Sequence, residues 1–185
     1  MTWQPPRESE FTQPTERCPH PEWWTAENIM ATEVEVSKLV AAFVVAVQPE
    51  FVVEIGSHYG QTTARIAQAL EENGHGEFVS LEIDQGLHES ASWRTQQYKK
   101  IQLICENSHN YIPPRKIDFL FVDGGLDRLS DVAHFEPYLT ERALVIVHDT
   151  GHDPYDQQVL PILDILGGNH IQLDTPRGLL IVKRG

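Results

Sequence analysis

The chain is short of basic residues, and this shortage limits its partners. It has 14 lysines and arginines against 27 aspartates and glutamates, which gives a formal net charge of −13 at pH 7. Because phosphate contacts need clustered basic side chains, this balance argues against a nucleic-acid partner and favours a solubility role for the acidity. The sequence also lacks an apolar stretch long enough to span a bilayer, so no membrane partner is expected.

Cysteines are scarce as well. Cys18 and Cys105 are the only two, and Cys105 lies in an apolar run, which is typical of a buried free thiol. The first residues do not contain the apolar segment of a signal peptide. These features together predict a protein of the reducing cytoplasm.

Two familiar nucleotide-binding motifs are missing. Residues 51–63 read as an apolar strand, a Gly-x-x-x-Gly turn from Gly56 to Gly60, and the start of a helix. This spacing is neither the Gly-x-Gly-x-x-Gly of dinucleotide-binding enzymes nor a P-loop, so a nicotinamide-dependent oxidoreductase is disfavoured. A tight strand-to-helix turn still favours a ligand at the sheet edge, because the helix N-terminus attracts negative charge.

The chain divides into an arm and one larger unit. Residues 1–24 contain five of the twelve prolines, which precludes a long helix and predicts an extended N-terminal arm. Residues 25–185 are expected to form a single domain. Its first helix is predicted to begin at Thr25 as the N-cap and to end at Val47, before a proline.

The remainder alternates between strands and helices. The strands are continuous apolar runs, which indicates that both sheet faces are covered, and the alternation predicts a parallel sheet with helices on both faces. Two short runs at the end, joined by turn residues, predict a hairpin. The fold class is therefore α/β, a doubly wound and mostly parallel seven-stranded sheet with an antiparallel C-terminal hairpin strand. The predicted strands are 51–55, 78–83, 101–105, 117–122, 143–147, 171–173 and 179–182, and the later helices are 61–73, 87–98, 127–139 and 157–166.

Polar residues follow each of the first five strands, where doubly wound sheets bind their ligands. Glu82 can accept both hydroxyls of a ribose with its two oxygens, or it is a solvated loop acid. Asp123 and Asp149 can share a divalent cation, which prefers oxygen ligands, or they belong to a tight turn and a helix cap. His148 and His152 can act as a general base, although single histidines are often structural.

The ordered strand ends resemble the class I S-adenosylmethionine-dependent methyltransferases. The closer similarity is to the catechol O-methyltransferase-like and small-molecule O-methyltransferase group, and it covers roughly residues 28–183. The segments that carry it are 54–62, 81–84, 107–113, 121–125, 147–150 and 175–179. The resemblance implies a Rossmann-like fold, S-adenosyl-L-methionine as the cofactor, and methyl transfer to a hydroxyl of a small molecule.

The resemblance also implies roles for individual residues. Gly56 and Gly60 let the backbone approach the methionine part of the cofactor, and Glu54 orients the turn or meets the ammonium group. Thr32, on the preceding helix, lies near the methionine carboxylate. The adenosine part is expected against the residues that follow the second and third strands. The full cofactor set is Thr32, Glu54, Gly56, Ser57, His58, Tyr59, Gly60, Thr62, Glu82, Ile83, Ser108, His109 and Asp123.

The implied catalytic and metal positions depart from the family pattern. Asp123, Asp149 and Thr150 occupy the positions that would hold Mg²⁺ or another divalent cation, but the family has an asparagine in place of Thr150. Leu126 occupies the position at which the family has a lysine that acts as the base. A metal would hold the substrate oxygen near the methyl group and lower its pKa. The candidate catalytic residues are His148, Asp149 and His152.

These departures leave a second function open. A protein that keeps the cofactor pocket but performs weak or no chemistry would be a binding or regulatory module. A homodimer is a further expectation, because the chain has no large inserted cap to complete a substrate pocket.

Overall fold

The computed structural model describes residues 14–28, 30–125, 127–151 and 154–185, and the backbone of residues 7–8. A two-stranded antiparallel ribbon precedes the main sheet and consists of β1 (Arg7–Glu8) and β2 (Thr25–Ala26). The further elements are α1 (Val34–Val47), β3 (Phe51–Ile55), α2 (Gln61–Asn73), β4 (Glu77–Glu82), α3 (Gln85–Thr95), β5 (Ile101–Cys105), β6 (Ile117–Val122), α4 (Arg128–Phe135), β7 (Leu139–His148), α5 (Val159–Leu166), β8 (Asn169–Leu173) and β9 (Leu179–Lys183), with 3-10 turns at Pro21–Trp23, Ser108–Asn110, Glu136–Tyr138 and Asp156–Gln158.

The main sheet has seven strands in the order β5-β4-β3-β6-β7-β9-β8. Strands β3 to β7 run parallel to one another, whereas β9 is antiparallel to both β7 and β8. This confirms the predicted doubly wound sheet with its C-terminal hairpin. The chain moves outward from β3 to β5 and then returns to place β6 on the other side of β3. The carboxyl ends of β3 and β6 therefore flank the topological switch point, where such sheets bind ligands.

Both faces of the sheet are covered by helices. On one face α1 and α2 pack through Val40, Val44, Ile66 and Leu70. On the other face α4 and α5 pack through Val132, Phe135 and Ile162. Each fully buried side chain of this size contributes about 1.5–3 kcal/mol. This two-sided burial is the reason that the strands read as continuous apolar runs.

The predicted start of the first helix is wrong. Helix α1 begins at Val34, and Glu33 before it has an extended ψ of 140°. Thr25 does not cap a helix, because its backbone N–H and hydroxyl donate to the Glu35 carboxylate at 2.9 and 3.1 Å while the residue pairs within β2. The apolar periodicity that predicted the helix is confined to 36–47, and the end at Val47 is confirmed.

Other boundaries differ by a few residues. Helix α4 ends at Phe135 and continues as a 3-10 turn, because Pro137 cannot continue the α-helical hydrogen bonds. Cys105, expected to be buried, is exposed because it ends the edge strand β5, whereas Cys18 is buried. Among the described residues, no helix combines the length and apolarity needed to cross a membrane.

Candidate active site

The glycine turn after β3 exists because two backbones approach each other closely. Gly56 has φ +89°, and a Cβ there would lie 2.6 Å from the carbonyl oxygen of Asp123, at the end of β6. Gly60 has φ +78°, and its Cβ would lie 2.8 Å from the Cα of Ala91 in α3. Only glycine fits both positions. Gly56 thus closes the switch point, and Gly60 brings α3 against the turn.

A cavity of about 470 Å³ lies over this turn and the carboxyl ends of β3 to β7. Glu54 and Gly60 do not line it, whereas the other eleven predicted cofactor residues do. These eleven are Thr32, Gly56, Ser57, His58, Tyr59, Thr62, Glu82, Ile83, Ser108, His109 and Asp123. The fold therefore gathers residues from five separate segments into one concave surface.

Glu82, at the end of β4, has a fixed carboxylate. Its Oε2 accepts the backbone N–H of His58 at 2.8 Å, and its Oε1 accepts that of Asp84 at 3.0 Å. The residue is buried but borders the cavity. Because each carboxylate oxygen has a second lone pair, both oxygens can still accept a ligand hydroxyl.

Ser108 and His109 form a polar group after β5. The Ser108 hydroxyl donates to Asp131 Oδ1 at 2.7 Å, and His109 Nε2 lies 3.3 Å from the same oxygen. The His109 ring stacks on His134 with 5.1 Å between centroids. Burial raises the pKa of Asp131, although Ser108 and His109 oppose this. Ser108 and His109, which were expected near the adenine, are thus held by Asp131 in α4, a residue that was not singled out in the sequence.

Glu54 lies in the middle of β3 and is fully buried. Its Oε2 accepts the hydroxyls of Thr63 in α2 and Ser80 in β4, both at 2.6 Å. Burial raises the pKa of Glu54 to about 8. Glu54 was expected either to orient the turn or to meet the ammonium group of the cofactor. These contacts favour orientation of the turn, because they join β3 to α2 and to β4.

The loop before α1 covers one side of the cavity. Thr32 lies in this loop rather than on the helix, and its hydroxyl donates to Asp123 Oδ2 at 2.6 Å. The loop carbonyl of Thr32 accepts the side-chain amide of Gln61 at 3.0 Å. Glu27, another lining residue, pairs with Arg94 of α3 at 2.9 Å. These contacts tie the loop to α2 and α3.

A cluster of six charged residues lies at the ends of β6 and β7, and we call it the charge cluster. His148 is at its centre, with Nδ1 2.9 Å from Asp123 Oδ1 and Nε2 2.7 Å from Glu33 Oε2. Asp149 faces two guanidinium groups, with 2.7 Å to Arg128 Nη2 and 2.8 Å to Arg177 Nη2. The members of the cluster are Glu33, Asp123, Arg128, His148, Asp149 and Arg177.

The surroundings of the buried His148 ring favour its charged form. Burial alone would lower its pKa, but the carboxylates of Asp123, Asp149 and Glu33 outweigh burial and raise the pKa to about 10. His148 and Arg128 in turn hold the pKa of the Asp123 carboxyl well below its usual range, against the opposing effect of burial. Both ring nitrogens face carboxylates, an arrangement that disfavours the predicted role of His148 as a general base, and that role stays a prediction.

The predicted metal ligands are only partly brought together. Ligand atoms of Asp123, His148 and Asp149 lie within 4.8 Å of one another. Thr150, the third predicted ligand, does not line the cavity, and its backbone N–H donates to the carbonyl of Gly178 at 3.3 Å. Leu126 and His152 lie outside the described residues, so a base at His152 stays a prediction.

Several functional side chains were missed in the sequence. Arg128 comes five residues after Asp123, and Arg177 lies within the segment 175–179 that carries the resemblance, but their charge alone gave no reason to single them out. Tyr155 also lines the cavity, with its ring centroid 5.2 Å from the Arg128 guanidinium carbon.

Comparison with known proteins identifies the group to which this site belongs. The profile of a family described as a methyltransferase domain matches residues 53–150, more than half of the chain. The chain belongs to this methyltransferase family. The match confirms the family resemblance seen in the sequence and the prediction of an enzyme. The matched segment contains the glycine turn of the methyltransferase, its Glu82 and most of its charge cluster. No curated protein sequence is significantly similar to the chain.

Solved structures share the fold of this methyltransferase at low sequence identity. The O-methyltransferase TomG from Streptomyces achromogenes, in complex with SAM, has a TM-score of 0.69 and 20% identity over 84% of this chain and 82% of its own. An O-methyltransferase from Bacillus cereus, in complex with SAH, has a TM-score of 0.65 and 14% identity over 82% and 81%. The N-methyltransferase NodS from Bradyrhizobium japonicum, also with SAH, has a TM-score of 0.62 and 12% identity over 82% and 86%. These structures confirm the Rossmann-like methyltransferase fold.

Proposed function

We propose that the protein transfers a methyl group from S-adenosyl-L-methionine to a hydroxyl oxygen of a small molecule. The observation that carries the proposal is the cavity at the switch point, which eleven of the thirteen expected cofactor residues line. Its cofactor assignment is also supported by similar folds crystallised with SAM or SAH. The residues present fit this molecule, because the cavity combines a glycine turn, a fixed carboxylate and exposed apolar surface.

The cofactor would lie across the ends of β3, β4 and β5. Glu82 would accept the two ribose hydroxyls, since backbone N–H groups fix both of its oxygens. Ile83, whose side chain is 69% exposed beside the cavity, would cover the adenine ring. Ser108 and His109 would meet the base edge. The methionine part would lie against Gly56, where a side chain cannot be accommodated.

The acceptor would then occupy the part of the cavity at the ends of β6 and β7. Asp149 and Tyr155 line that part. When the cofactor is bound, an acceptor oxygen forms a bond to its methyl carbon as the carbon–sulfur bond breaks, which leaves S-adenosylhomocysteine. The protein's contribution is mainly alignment of the acceptor oxygen, which can supply a large share of such a rate enhancement.

The hydroxyl proton must leave the acceptor, and the charge cluster limits where it can go. Both nitrogens of His148 face carboxylates, and this arrangement favours a ring protonated at both nitrogens, which could not take the proton. Asp149 contacts Arg128 and Arg177 and serves better as an anchor than as a base. Among the predicted catalytic residues, His152 is the one we retain as a candidate base.

The test is transfer of radiolabelled methyl from S-adenosyl-L-methionine to a panel of small phenols, enols, aliphatic alcohols and amines. Labelled methyl ethers are the expected products. Labelled amines alone would contradict the oxygen acceptor, a distinction that matters because one similar fold is an N-methyltransferase. Binding of S-adenosylhomocysteine without turnover on any acceptor would favour the alternative, a cofactor-binding module without chemistry.

A further inference from the structure

Asp149, which the family resemblance assigns to a metal, is already neutralised by the protein. Arg177 approaches it side-on, with Nε 2.5 Å from Oδ1 and Nη2 2.8 Å from Oδ2. Arg128 Nη2 reaches the same Oδ2 at 2.7 Å. The Asp149 side chain is 3% exposed, so these guanidinium groups are its immediate surroundings. Two positive charges of the protein therefore already contact the carboxylate that would attract a divalent cation.

Asp123 and His148 are also committed to protein partners. Asp123 Oδ2 accepts the Thr32 hydroxyl at 2.6 Å, and its Oδ1 faces His148 at 2.9 Å and Arg128 at 3.5 Å. Nε2 of His148 faces Glu33 at 2.7 Å, so a cation would have to bind at Nδ1 and take the place of its contact with Asp123. The ligand atoms of Asp123, His148 and Asp149 lie within 4.8 Å of one another, but each side chain faces protein partners that a divalent cation would have to displace.

Arg128 is fixed by acceptors at every nitrogen. Its Nε donates to the His148 carbonyl at 3.3 Å, and its Nη1 donates to the carbonyls of Gly124 and Gly125. Its Nη2 meets the two aspartates, and the side chain is 4% exposed. These acceptors can use all five N–H groups of the Arg128 guanidinium. A lysine or a hydrated metal ion could not make the same set of hydrogen bonds. The same side chain thereby holds the strand ends and the turn after β6.

We propose that this methyltransferase works without a divalent metal, and that Arg128, supported by Arg177, replaces the metal as the cation that holds Asp123 and Asp149. Arg128 is a positioning residue in this proposal. Its role is to fix the two strand ends that border the cavity, and it does not touch the acceptor. The statement about catalysis rests on the proposed function, whereas the statement about metal binding does not.

The test is a titration with Mn²⁺ followed by its electron paramagnetic resonance signal, with and without S-adenosylhomocysteine. We expect no Mn²⁺ bound by the wild-type protein up to about 1 mM, the weak end of calcium-site affinities in proteins. Mn²⁺ binding that disappears in Asp149→Asn would overturn the proposal. In the same samples, calorimetry with S-adenosylhomocysteine reports separately on the proposed function, so that failure of one idea is distinguishable from failure of the other.

Variants of Arg128 sharpen the test. Arg128→Met leaves two carboxylates without their shared cation, so saturating Mn²⁺ is expected to raise its Tm by about 5 °C and to leave the wild-type Tm unchanged. Arg128→Lys keeps the charge and is expected to show no Mn²⁺ response, whereas Arg115→Met removes a surface arginine as the matched control. Equal Mn²⁺ shifts in all four proteins would contradict the role of Arg128. If Arg128→Met does not fold, the wild-type titration decides.

Discussion

Substitution of Glu82 by glutamine tests the cofactor pocket at the atom level. The Glu82 carboxylate accepts one backbone N–H at each oxygen, from His58 at 2.8 Å and from Asp84 at 3.0 Å. A glutamine offers one oxygen and one amide NH2, so a donor must face a donor on one side. The amide also lacks the charge and one acceptor that the proposed ribose contact needs.

The expected loss follows from these contacts. A hydrogen bond to a charged group contributes about 1.5–3 kcal/mol, and each 1.4 kcal/mol is a tenfold change in affinity. We therefore expect Glu82→Gln to weaken binding of S-adenosylhomocysteine by about 10- to 150-fold. Isothermal titration calorimetry measures this loss directly, and thermal unfolding of the ligand-free variant shows whether it is folded.

The matched control is Glu77→Gln, at the opposite end of the same strand. Its side chain is 72% exposed and pairs with Arg115 at the surface, away from the cavity. Surface substitutions of this kind change stability by about 0.5 kcal/mol or less. An unchanged affinity in a folded Glu82→Gln variant, equal to that of the control, would refute the assignment of the ribose site.

Three further variants test the turn and the buried charges. Gly56→Ala places a Cβ against the Asp123 carbonyl at positive φ, so we expect lost stability and lost S-adenosylhomocysteine binding, measured by denaturation and calorimetry. Glu54→Gln removes a carboxyl whose pKa in the folded protein is raised to about 8. The wild type therefore loses stability relative to this variant as pH rises from about 4.5 to 8. An equal difference in the free energy of unfolding in urea at both pH values would contradict this. His148→Gln is expected to cost about 3–5 kcal/mol below pH 6.5, and less as pH rises towards 10, because the raised pKa of His148 is stabilising only while the ring stays protonated; a pH-independent loss would contradict it.

The cofactor side of the cavity was predictable because it depends on local sequence. Each residue there directly follows an apolar strand, and parallel strands bring their carboxyl ends to one rim. Glu82 and Ser108 could therefore be placed in the cavity without knowing any tertiary contact. Gly60 also follows an apolar strand in the sequence. This position must be a glycine, however, because Ala91 approaches it closely, and that contact joins distant segments of the chain.

The charge cluster was not predictable for a related reason. Arg128 and Arg177 are far apart in the sequence and meet Asp149 only when α4 and the hairpin turn close over the sheet. The predicted start of α1 was wrong for a similar reason. Thr25 is a residue type that often caps helices, but here it pairs within β2 and donates to Glu35. The homodimer, the cytoplasmic location and the division at residue 24 stay predictions.

A crystal structure of the full chain grown with S-adenosylhomocysteine tests the central claim most directly. We expect ligand density over the ends of β3 to β5, with the ribose hydroxyls on Glu82, the adenine over Ile83 and the amino-acid part beside Gly56. Density for the nucleoside at the ends of β6 and β7, next to Tyr155, would contradict this assignment. So would the absence of ligand density in a cavity that remains open in crystals soaked at saturating concentration.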